Sequence, residues 1–487
     1  MLQIDDSSLL KSACLIGGEW KAAQSGQSFP VLNPSTGEEV GSVPNLTREE
    51  VGDAVKAAAA AFPAWRALTA KDRSERLRDW FNLMIAAQED LARIMTAEQG
   101  KPLAESRGEI TYAASFIEWF AEEAKRAYGD TIPSPQADGR ILVLKEPIGV
   151  VAAITPWNFP AGMITRKAAP ALAAGCTIVI KPAGETPLSA LALAVLAERA
   201  GIPAGVVNVV TGRDSRGIGL ELTTNPLVRK VSFTGSTQIG KQLMAQAAST
   251  VKKVGLELGG NAPFIVFDDA DVESAVVGAM QSKYRNGGQT CVCTNRFLVQ
   301  SGIYDVFARR LGEEIARLRV GDGMEQGVQI GPLINTRAAQ DVKALIADAT
   351  DKGARVLVGE EGDARGGAFV QPTLIGGATM DMRLGREEIF GPVAALFRFD
   401  DEQEAISIAN DTEFGLAAYL YTKDLSRMWR VMEALEYGIV GVNRGLISTE
   451  VAPFGGVKES GIGREGSRYG LDDFIEMKYV AIGISAA

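Results

Sequence analysis

Short apolar segments alternate with segments of helical length through most of this chain, and this alternation limits the folds open to it. Ile148–Thr155 and Cys176–Lys181 have the composition of buried strands, and each precedes a helix-like segment. Strands that alternate with helices of about 10–15 residues predict a parallel, doubly wound sheet. The pattern resumes at Pro263–Phe267 and Arg296–Gln300, so a second α/β unit follows the first. The natural boundary between the two lies close to Glu257.

The bulk composition excludes several classes of function. At 487 residues the chain is too long for one core, and 46% hydrophobic residues is usual for a folded enzyme. A net charge of −10 without blocks of like charge argues against a nucleic-acid or membrane surface. The N-terminus has no signal-peptide pattern, and no apolar run is long enough to span a bilayer. We therefore expect a cytoplasmic protein without nucleic-acid or membrane partners.

The chain contains no histidine, which removes whole classes of active site. Cys–His hydrolases and Ser–His–Asp triads both need an imidazole base. Four cysteines, of which only two are close in sequence, match neither a zinc site nor a disulfide framework. We therefore predict no metal. A nucleophilic cysteine would have to be activated by a carboxylate, a lysine or a local dipole.

Cys291 is the strongest candidate for a nucleophile. It follows the turn Gly287–Thr290, in which two glycines let the backbone bring a thiol close to another group. Free cysteine is only slightly ionised near neutral pH, so a base is needed. Glu257, about thirty residues upstream, offers a carboxylate. The competing interpretations are a buried structural thiol for Cys291 and a surface salt bridge for Glu257.

Three segments are candidates for nucleotide contacts. Gly461–Gly466 matches the dinucleotide fingerprint, but it follows a loop and opens no βαβ unit, so we discount it. Gly235 and Ser236 follow the predicted strand Val228–Phe233, and Ser236 is a natural N-cap at a helix start that suits a pyrophosphate. A plain capped turn is the alternative. Lys181 ends a predicted parallel strand, where such sheets bind ligands, although a lysine by itself is more often a surface residue.

Seven motifs occur together in the order and spacing of one family. They are Thr155–Pro160, Lys181–Ala183, Phe233–Ser236, Leu256–Gly260, Gly288–Cys291, Glu388–Pro392 and Pro453–Gly461. Through these motifs the chain resembles the aldehyde dehydrogenase superfamily over almost its whole length. The resemblance implies a nicotinamide cofactor in an atypical Rossmann domain that lacks the glycine fingerprint.

The resemblance also implies the fold and its division. We expect an α/β protein with two doubly wound parallel-sheet domains, one for the cofactor and one for catalysis, and a small β oligomerisation arm. The dinucleotide-binding domain would cover residues 1–128 and 147–257, and the catalytic domain 258–460. Residues 129–146 and 461–487 would form oligomerisation or bridging segments.

The chemistry that the resemblance implies needs no histidine. Cys291 would attack an aldehyde carbon to give a hemithioacetal, and Asn158 with the backbone amide of Cys291 would stabilise the oxyanion. Hydride transfer to the nicotinamide would leave a thioester. Glu257 would then activate the water that hydrolyses this thioester to a carboxylic acid.

The resemblance assigns cofactor contacts to Thr155, Trp157, Lys181, Gly184, Gly235, Ser236, Glu388 and Phe390. One of these positions departs from the family pattern. Members specific for NAD often carry Glu three residues after the strand-end lysine, where this chain has Gly184, with the acid displaced to Glu185. A missing carboxylate removes repulsion of a 2′-phosphate, so we predict that NADP is preferred and that NAD is also accepted.

Within the superfamily, the chain is most similar to the succinate-semialdehyde dehydrogenases. The similarity rests on Met163–Lys167, Tyr284–Asn286, Cys291–Cys293 and Gly445–Ser448. It implies that Arg166, Arg285 and Ser448 bind the carboxylate remote from the aldehyde. Guanidinium groups suit this role because each donates two charge-assisted hydrogen bonds. An ordinary helix-face ion pair is the competing interpretation of each arginine.

Two further residues have open interpretations. Arg444 stands where relatives commonly have Glu, and it either adjusts the pocket toward a longer or more acidic substrate or points to solvent. Cys293 is either inert packing or the partner of Cys291 in a reversible, inactivating disulfide, as the resemblance suggests for some members.

The resemblance thus implies the oxidation of succinate semialdehyde to succinate with NADP or NAD. The alternatives are another acidic semialdehyde such as glutarate semialdehyde, a neutral aldehyde, or, from another class, a thiol esterase that needs no cofactor. Expected protruding strands at Asp130–Lys145 and Glu476–Ile484 imply a homodimer or homotetramer.

Overall fold

Residues 2–361 and 363–484 are described by the computed structural model, with twenty strands and fifteen α-helices among them. The strands are β1 (Cys14–Ile16), β2 (Glu19–Lys21), β3 (Ser28–Leu32), β4 (Glu39–Pro44), β5 (Asp130–Ile132), β6 (Gly139–Pro147), β7 (Val150–Ile154), β8 (Thr177–Lys181), β9 (Val207–Val209), β10 (Val228–Thr234), β11 (Lys253–Glu257), β12 (Ala262–Val266), β13 (Thr294–Gln300), β14 (Arg355–Val358), β15 (Thr373–Gly376), β16 (Val393–Phe399), β17 (Ala417–Tyr421), β18 (Ile439–Val442), β19 (Gly461–Ile462) and β20 (Ile475–Gly483). The helices are α1 (Arg48–Ala67), α2 (Ala70–Ala86), α3 (Gln88–Gln99), α4 (Leu103–Glu123), α5 (Gly162–Ala174), α6 (Pro187–Arg199), α7 (Ser215–Thr224), α8 (Thr237–Ala247), α9 (Val272–Tyr284), α10 (Tyr304–Ile315), α11 (Thr336–Asp351), α12 (Arg383–Arg386), α13 (Glu402–Asn410), α14 (Leu425–Ala434) and α15 (Tyr469–Asp472).

An eight-stranded sheet has the order β19-β11-β10-β7-β8-β9-β1-β2, and all its strands except β19 come from residues 14–257. Its central strands β7 to β11 are mutually parallel. Helices cover both faces of this sheet. On one face, Ile178 and Ile180 of β8 pack in a core with α5 and α6, and on the other face Val179 packs in a core with α1 and α7. Strands buried on both faces consist almost wholly of apolar residues, which explains the sequence pattern.

A seven-stranded sheet follows in the order β14-β15-β16-β13-β12-β17-β18, and it is parallel except for β14. It is covered in the same way, since Phe297 and Val299 of β13 face one core and Leu298 faces another. The prediction of an α/β protein with two doubly wound parallel sheets is confirmed.

A third sheet has the order β20-β6-β5 and is largely exposed. Strand β20 pairs antiparallel with β6 over nine residues, from Ile475 opposite Pro147 to Gly483 opposite Gly139. Strand β19, in contrast, pairs with β11 at the edge of the first sheet. Among the helices of the described residues, none is long and apolar enough to cross a membrane.

The parallel strands of the first sheet bring several candidate residues to one edge. The register pairs the last residue of β7, Ile154, with Lys181 of β8, and it pairs Thr234 of β10 with Glu257 of β11. Thr155 follows β7 directly. Open parallel sheets bind ligands beyond the carboxyl ends of their strands, and these residues lie there.

Candidate active site

A tight turn between α9 and β13 carries Cys291. Asn286, Gly287 and Gly288 all have left-handed backbone conformations, with φ of 53°, 60° and 78°. A Cβ at Gly288 would lie only 2.2 Å from the carbonyl oxygen of Gly391, so the turn accommodates only glycine there. The glycine pair recognised in the sequence therefore serves the close packing that holds the thiol.

Cys291 lies on the wall of a cavity of about 240 Å³. The cavity is lined by Pro156, Trp157, Asn158, Thr234, Gly235, Ser236, Leu258, Gly259, Cys291, Glu388 and Phe390. These residues come from the carboxyl end of the first sheet and from loops of the second unit, so the cavity lies between the two. It brings together seven of the residues singled out from the sequence. Thr155, Lys181, Gly184 and Glu257 lie outside this lining.

The Asn158 side chain is fixed against the nucleophile turn. Its Nδ2 donates a hydrogen bond of 3.0 Å to the carbonyl oxygen of Gln289, two residues before Cys291. A primary amide has two N–H groups, so one remains for an oxygen bound next to Cys291. Asn158 is only 3% exposed, which keeps competing water away from this donor.

The thiol of Cys291 is protonated at neutral pH in this state. Burial raises its pKa to about 12, although the positive charges of Arg166 and Arg285 oppose the shift. The carboxylates of Glu388 and Glu257 act in the same direction as burial. The nucleophile therefore depends on a proton acceptor or on new positive charge when ligands bind.

Glu257 ends β11 and is 3% exposed. Burial, and next the negative charge of Glu465, raise the pKa of Glu257 well above its ordinary value. Its Oε2 has no hydrogen-bond partner within the described part of the chain. A buried carboxyl with an unused oxygen can accept a proton from a water molecule, and a raised pKa makes it a stronger base.

Arg166 and Lys167 share one carboxylate, that of Glu465. Arg166 is 1% exposed and forms an ion pair of 2.7 Å with Glu465, and the Phe454 ring covers its guanidinium at 4.0 Å. Lys167 pairs with the other oxygen of Glu465 and donates 2.7 Å to Thr234 Oγ1. Burial opposes ionisation of Glu465, but the Lys167 and Arg166 charges hold its pKa below the ordinary value. Arg166 is therefore already paired with a carboxylate of the chain itself. The expectation that it binds the substrate carboxylate did not anticipate this internal partner.

Arg285 is in a different situation. It is half-buried, its guanidinium lies 5.1 Å from the centre of the Phe159 ring, and it forms no ion pair within residues 2–361 and 363–484. It lies on the wall of a second cavity, of about 430 Å³. This cavity is lined by Pro102, Ala104, Glu105, Met280, Gln281, Tyr284, Arg285, Leu318, Val328, Gln329, Ile330 and Leu446.

The loop after β18 reaches the same region. Leu446 lines the second cavity, and Ser448, two residues later, is half-buried. A Cβ at Gly445 would lie 2.1 Å from the carbonyl oxygen of Gly278, so this glycine lets the loop lie directly on α9. Arg444 is exposed, which agrees with its interpretation as a solvent-facing residue.

Two aromatic rings and a carboxyl group form one side of the first cavity. Trp157 and Phe390 meet edge to face, with ring centres 5.5 Å apart. Burial raises the pKa of Glu388 to about 8, although the Gly260 amide donates 3.3 Å to its Oε1. A hydroxyl donor such as a ribose would hydrogen-bond to this carboxyl group in either protonation state.

The start of α8 presents unused polar groups to the cavity. Ser236 takes the N-cap position as expected, but its side chain accepts no hydrogen bond from the helix. The hydroxyl therefore stays available, which differs from the ordinary capped turn. The Oγ1 of Thr155 is buried and without a partner within the described chain. The exposed Ser236 hydroxyl beside the free amides at the start of α8 fits a bound pyrophosphate, and the buried Thr155 hydroxyl just after β7 has a free hydrogen-bonding capacity.

Lys181 and Gly184 lie just beyond this cavity. Lys181 is 7% exposed, and its Nζ donates 3.0 Å to the carbonyl oxygen of Pro182, so it is not an ordinary surface lysine. A Cβ at Gly184 would meet only the Phe29 ring, at 4.0 Å. Glu185 is exposed. The space beside Gly184 therefore contains no side-chain carboxylate from this position, which agrees with the prediction that a 2′-phosphate is tolerated there.

Cys293 lies behind the nucleophile turn. It is 5% exposed, its backbone amide donates 2.9 Å to the carbonyl oxygen of Thr290, and its Sγ lies 3.4 Å from the carbonyl oxygen of Lys283. These contacts describe a packed, hydrogen-bonded thiol.

Sequence reasoning missed three buried charged residues around the site, namely Lys101, Glu109 and Glu465. Charged residues in helices and their connections usually face solvent, so the local sequence does not indicate that Lys101 and Glu109 are only 1% and 4% exposed. Glu465 lies inside Gly461–Gly466, whose match to the dinucleotide fingerprint says nothing about this carboxylate.

The chain is similar to known proteins over almost its whole length. Residues 20–480 match the aldehyde dehydrogenase family. The chain is 62% identical to a succinate-semialdehyde dehydrogenase [NADP(+)] of Escherichia coli, over 99% of this chain and 100% of that protein. It is 60% identical to a glutarate-semialdehyde dehydrogenase of Pseudomonas aeruginosa, with the same two shares covered.

Among solved structures, that of an NADP-dependent enzyme of E. coli superposes with a TM-score of 0.98. Its sequence is 62% identical, and the superposition covers 99% of this chain and 100% of the other.

Proposed function

We propose a substrate and a cofactor for this chain, which belongs to the aldehyde dehydrogenase family: it oxidises succinate semialdehyde to succinate and prefers NADP. The observation that carries the proposal is the Arg285 guanidinium, half-buried on a cavity wall and without an acidic partner within the described chain. Glu105 lines the same cavity, but no carboxylate of the described residues lies within ion-pair distance of Arg285, so this cation can bind a carboxylate brought by a ligand.

In the proposed reaction the Cys291 thiol loses its proton to solvent water, and its Sγ attacks the aldehyde carbon. The free N–H of Asn158 donates to the oxygen that gains negative charge, and this stabilises the tetrahedral adduct more than the aldehyde. A nicotinamide cofactor held beside Cys291 would supply the hydride acceptor that converts this adduct into a thioester. Glu257 then takes a proton from water, the oxygen of which attacks the thioester, and succinate leaves as the Cys291–carbon bond breaks.

The residues present fit a nicotinamide dinucleotide. Ser236 and Thr155 contribute hydroxyls without internal partners, Glu388 contributes a buried carboxyl group, and Trp157 and Phe390 contribute apolar walls. We assign Lys181 to the ribose of the adenosine half, because it lies at the carboxyl end of β8.

The cofactor preference can be tested at Gly184. Gly184→Glu should lower kcat/KM for NADP by at least about tenfold and should leave that for NAD within about threefold, because the new carboxylate repels a 2′-phosphate. Gly184→Ala is the matched control, since the added methyl group has room beside Phe29. Steady-state kinetics with both cofactors measures this. A wild-type preference for NAD above about tenfold would contradict the proposal.

The substrate assignment can be tested at Arg285. Arg285→Ala should raise KM for succinate semialdehyde by about 10–100-fold, because a charge-assisted pair is lost, and should change KM for propanal by less than about twofold. Arg444→Ala, which removes an exposed arginine nearby, should affect neither. Equal effects of Arg285→Ala on both aldehydes would remove Arg285 from the substrate site.

Glutarate semialdehyde is a second candidate, with one more methylene between aldehyde and carboxylate. The 60% identity to the glutarate-semialdehyde dehydrogenase of P. aeruginosa favours it, and the second cavity, of about 430 Å³, has room for the longer chain. Comparison of kcat/KM for the two semialdehydes decides the order.

We further propose that the third sheet mediates assembly into a homodimer or homotetramer. Met477 and Tyr479 of β20 are 76% and 64% exposed, and Leu144 of β6 is 43% exposed. Apolar side chains on a two-sided exposed sheet are costly in water and are covered by pairing with another subunit. Light scattering measures the mass in solution, and a monomer at micromolar concentration would contradict this proposal.

A further inference from the structure

A buried ion pair lies directly behind Asn158. Lys101, at the end of the α3–α4 connection, is 1% exposed and pairs with Glu109 of α4, which is 4% exposed. The Lys101 Nζ also donates 2.7 Å to the backbone carbonyl oxygen of Asn158, and it lies 4.1 Å from the centre of the Phe159 ring. A buried ammonium group is costly unless it is paired, and here its hydrogen bonds within the described residues go to Glu109 and to the Asn158 carbonyl oxygen.

Glu109 also binds the backbone that follows Asn158. Its Oε1 accepts hydrogen bonds from the backbone amides of Ala161 and Gly162, at 3.0 and 3.2 Å. These amides belong to the start of α5, where helix N–H groups have no intrahelical partners. The carboxylate therefore fixes the backbone just after Asn158, while Lys101 fixes Asn158 itself.

Asn286 completes the arrangement from the nucleophile turn. Its Nδ2 donates 2.9 Å to the same carbonyl oxygen of Asn158. Its Oδ1 accepts 3.1 Å from Gln99 Nε2, and its backbone amide donates 2.7 Å to Glu105. The Asn158 carbonyl oxygen thus receives one donor from α3–α4 and one from the turn that carries Cys291.

We propose that Lys101, Glu109 and Asn286 form an Asn158 clamp that sets the distance between the Asn158 amide and the sulfur of Cys291. None of the three lines the cavity that contains Cys291, so they are positioning residues and act through Asn158. The proposal deepens the proposed function, since it rests on the role of Asn158 as oxyanion donor. A donor must lie within a few tenths of an ångström of its place, because a misplacement of about 1 Å can cost about a hundredfold in rate.

The clamp predicts a particular pattern of double substitutions. Lys101→Met with Glu109→Gln removes both charges together and keeps an acceptor for the helix amides. This pair should lower kcat by about 10–100-fold and change KM for the aldehyde by less than about threefold. In an Asn158→Ala background the same pair should lower kcat by no more than about twofold further, because the donor that it positions is already gone.

Cofactor reduction measured in single turnovers, with thermal unfolding in parallel, decides the matter. An equal reduction in kcat in both backgrounds, or a lower unfolding temperature with unchanged kcat, would overturn the proposal. If Asn158→Ala itself left kcat intact, the oxyanion role would fail first, and this outcome is distinguishable because it needs no clamp substitution. The control is Arg427→Met with Asp269→Asn, a partly buried ion pair of 2.7 Å that lines neither cavity. It should lower stability without changing kcat.

A second variant keeps the proposal testable if the first fails to fold. Asn286→Asp retains the size and the left-handed backbone that Asn and Asp tolerate, but it turns an acceptor toward the Asn158 carbonyl oxygen. It should lower kcat by about 10–100-fold in the wild-type background and by no more than about twofold in Asn158→Ala. Unchanged kcat in the folded Asn286→Asp protein would overturn the clamp.

Discussion

Cys291→Ala is expected to lower kcat for aldehyde oxidation by at least about 10⁴-fold, the largest effect of any single substitution in this chain. The reaction that we propose passes through a covalent bond to this sulfur, and alanine cannot form it. Of the described cysteines, Cys291 alone lines the first cavity. Formation of reduced cofactor under excess aldehyde measures the loss.

The neighbouring thiol provides the matched control for this experiment. Cys293→Ala removes the same atom two residues away, from a packed site that lies outside the cavity lining. It should keep kcat within about threefold. Reduction of the cofactor at the native rate by Cys291→Ala would contradict the thioester mechanism as a whole.

Glu257→Gln is expected to stop the reaction after its first half. Each active site should form one equivalent of reduced cofactor, and steady-state turnover should then fall by about 10²–10⁴-fold, because water is no longer deprotonated. Rapid mixing measures the burst, and mass spectrometry of the Cys291 peptide identifies the acyl group. The double variant Cys291→Ala with Glu257→Gln should show no burst. Loss of the burst in Glu257→Gln alone would contradict a role confined to hydrolysis and would place Glu257 before acylation.

The same residue gives a pH dependence of known sign. Burial and the Glu465 charge raise the pKa of Glu257, and only its deprotonated form accepts a proton. The rate of hydrolysis should therefore rise with pH up to this raised pKa and level off above it. The pH profile of turnover in Glu257→Gln should lack this rise.

The sequence predicted the sheets well because parallel strands buried on both faces have a simple pattern. Short apolar segments that alternate with segments of helical length predict strands at β7, β8, β10 and β11 from the sequence alone. The sequence predicts Lys181 at the carboxyl end of a parallel strand, and the structure agrees, because Lys181 is the last residue of β8 and pairs with Ile154, the last residue of β7. The local sequence pattern was enough to predict these elements, because each strand and the helix after it are determined by residues close in sequence.

The environment of the charged residues could not be predicted in this way. The motif around Arg166 implies a substrate anchor, with a helix-face ion pair as the alternative, but it does not identify the partner Glu465, which is 299 positions away along the chain. The sequence around Lys101 likewise contains no sign that this residue is enclosed by α4 and the β7–α5 loop. Such partners are determined by tertiary packing, and the periodicity of one segment carries no information about another.

The two cavities beside the Cys291 turn are lined by separate sets of residues, one containing Glu388 and the other Arg285. A drug-like anion seated against Arg285 would therefore leave the nucleotide compartment accessible. Inhibition of this kind would persist at saturating coenzyme, and its selectivity among related dehydrogenases would depend on residues such as Leu446 and Gln281 instead of on the shared dinucleotide chemistry.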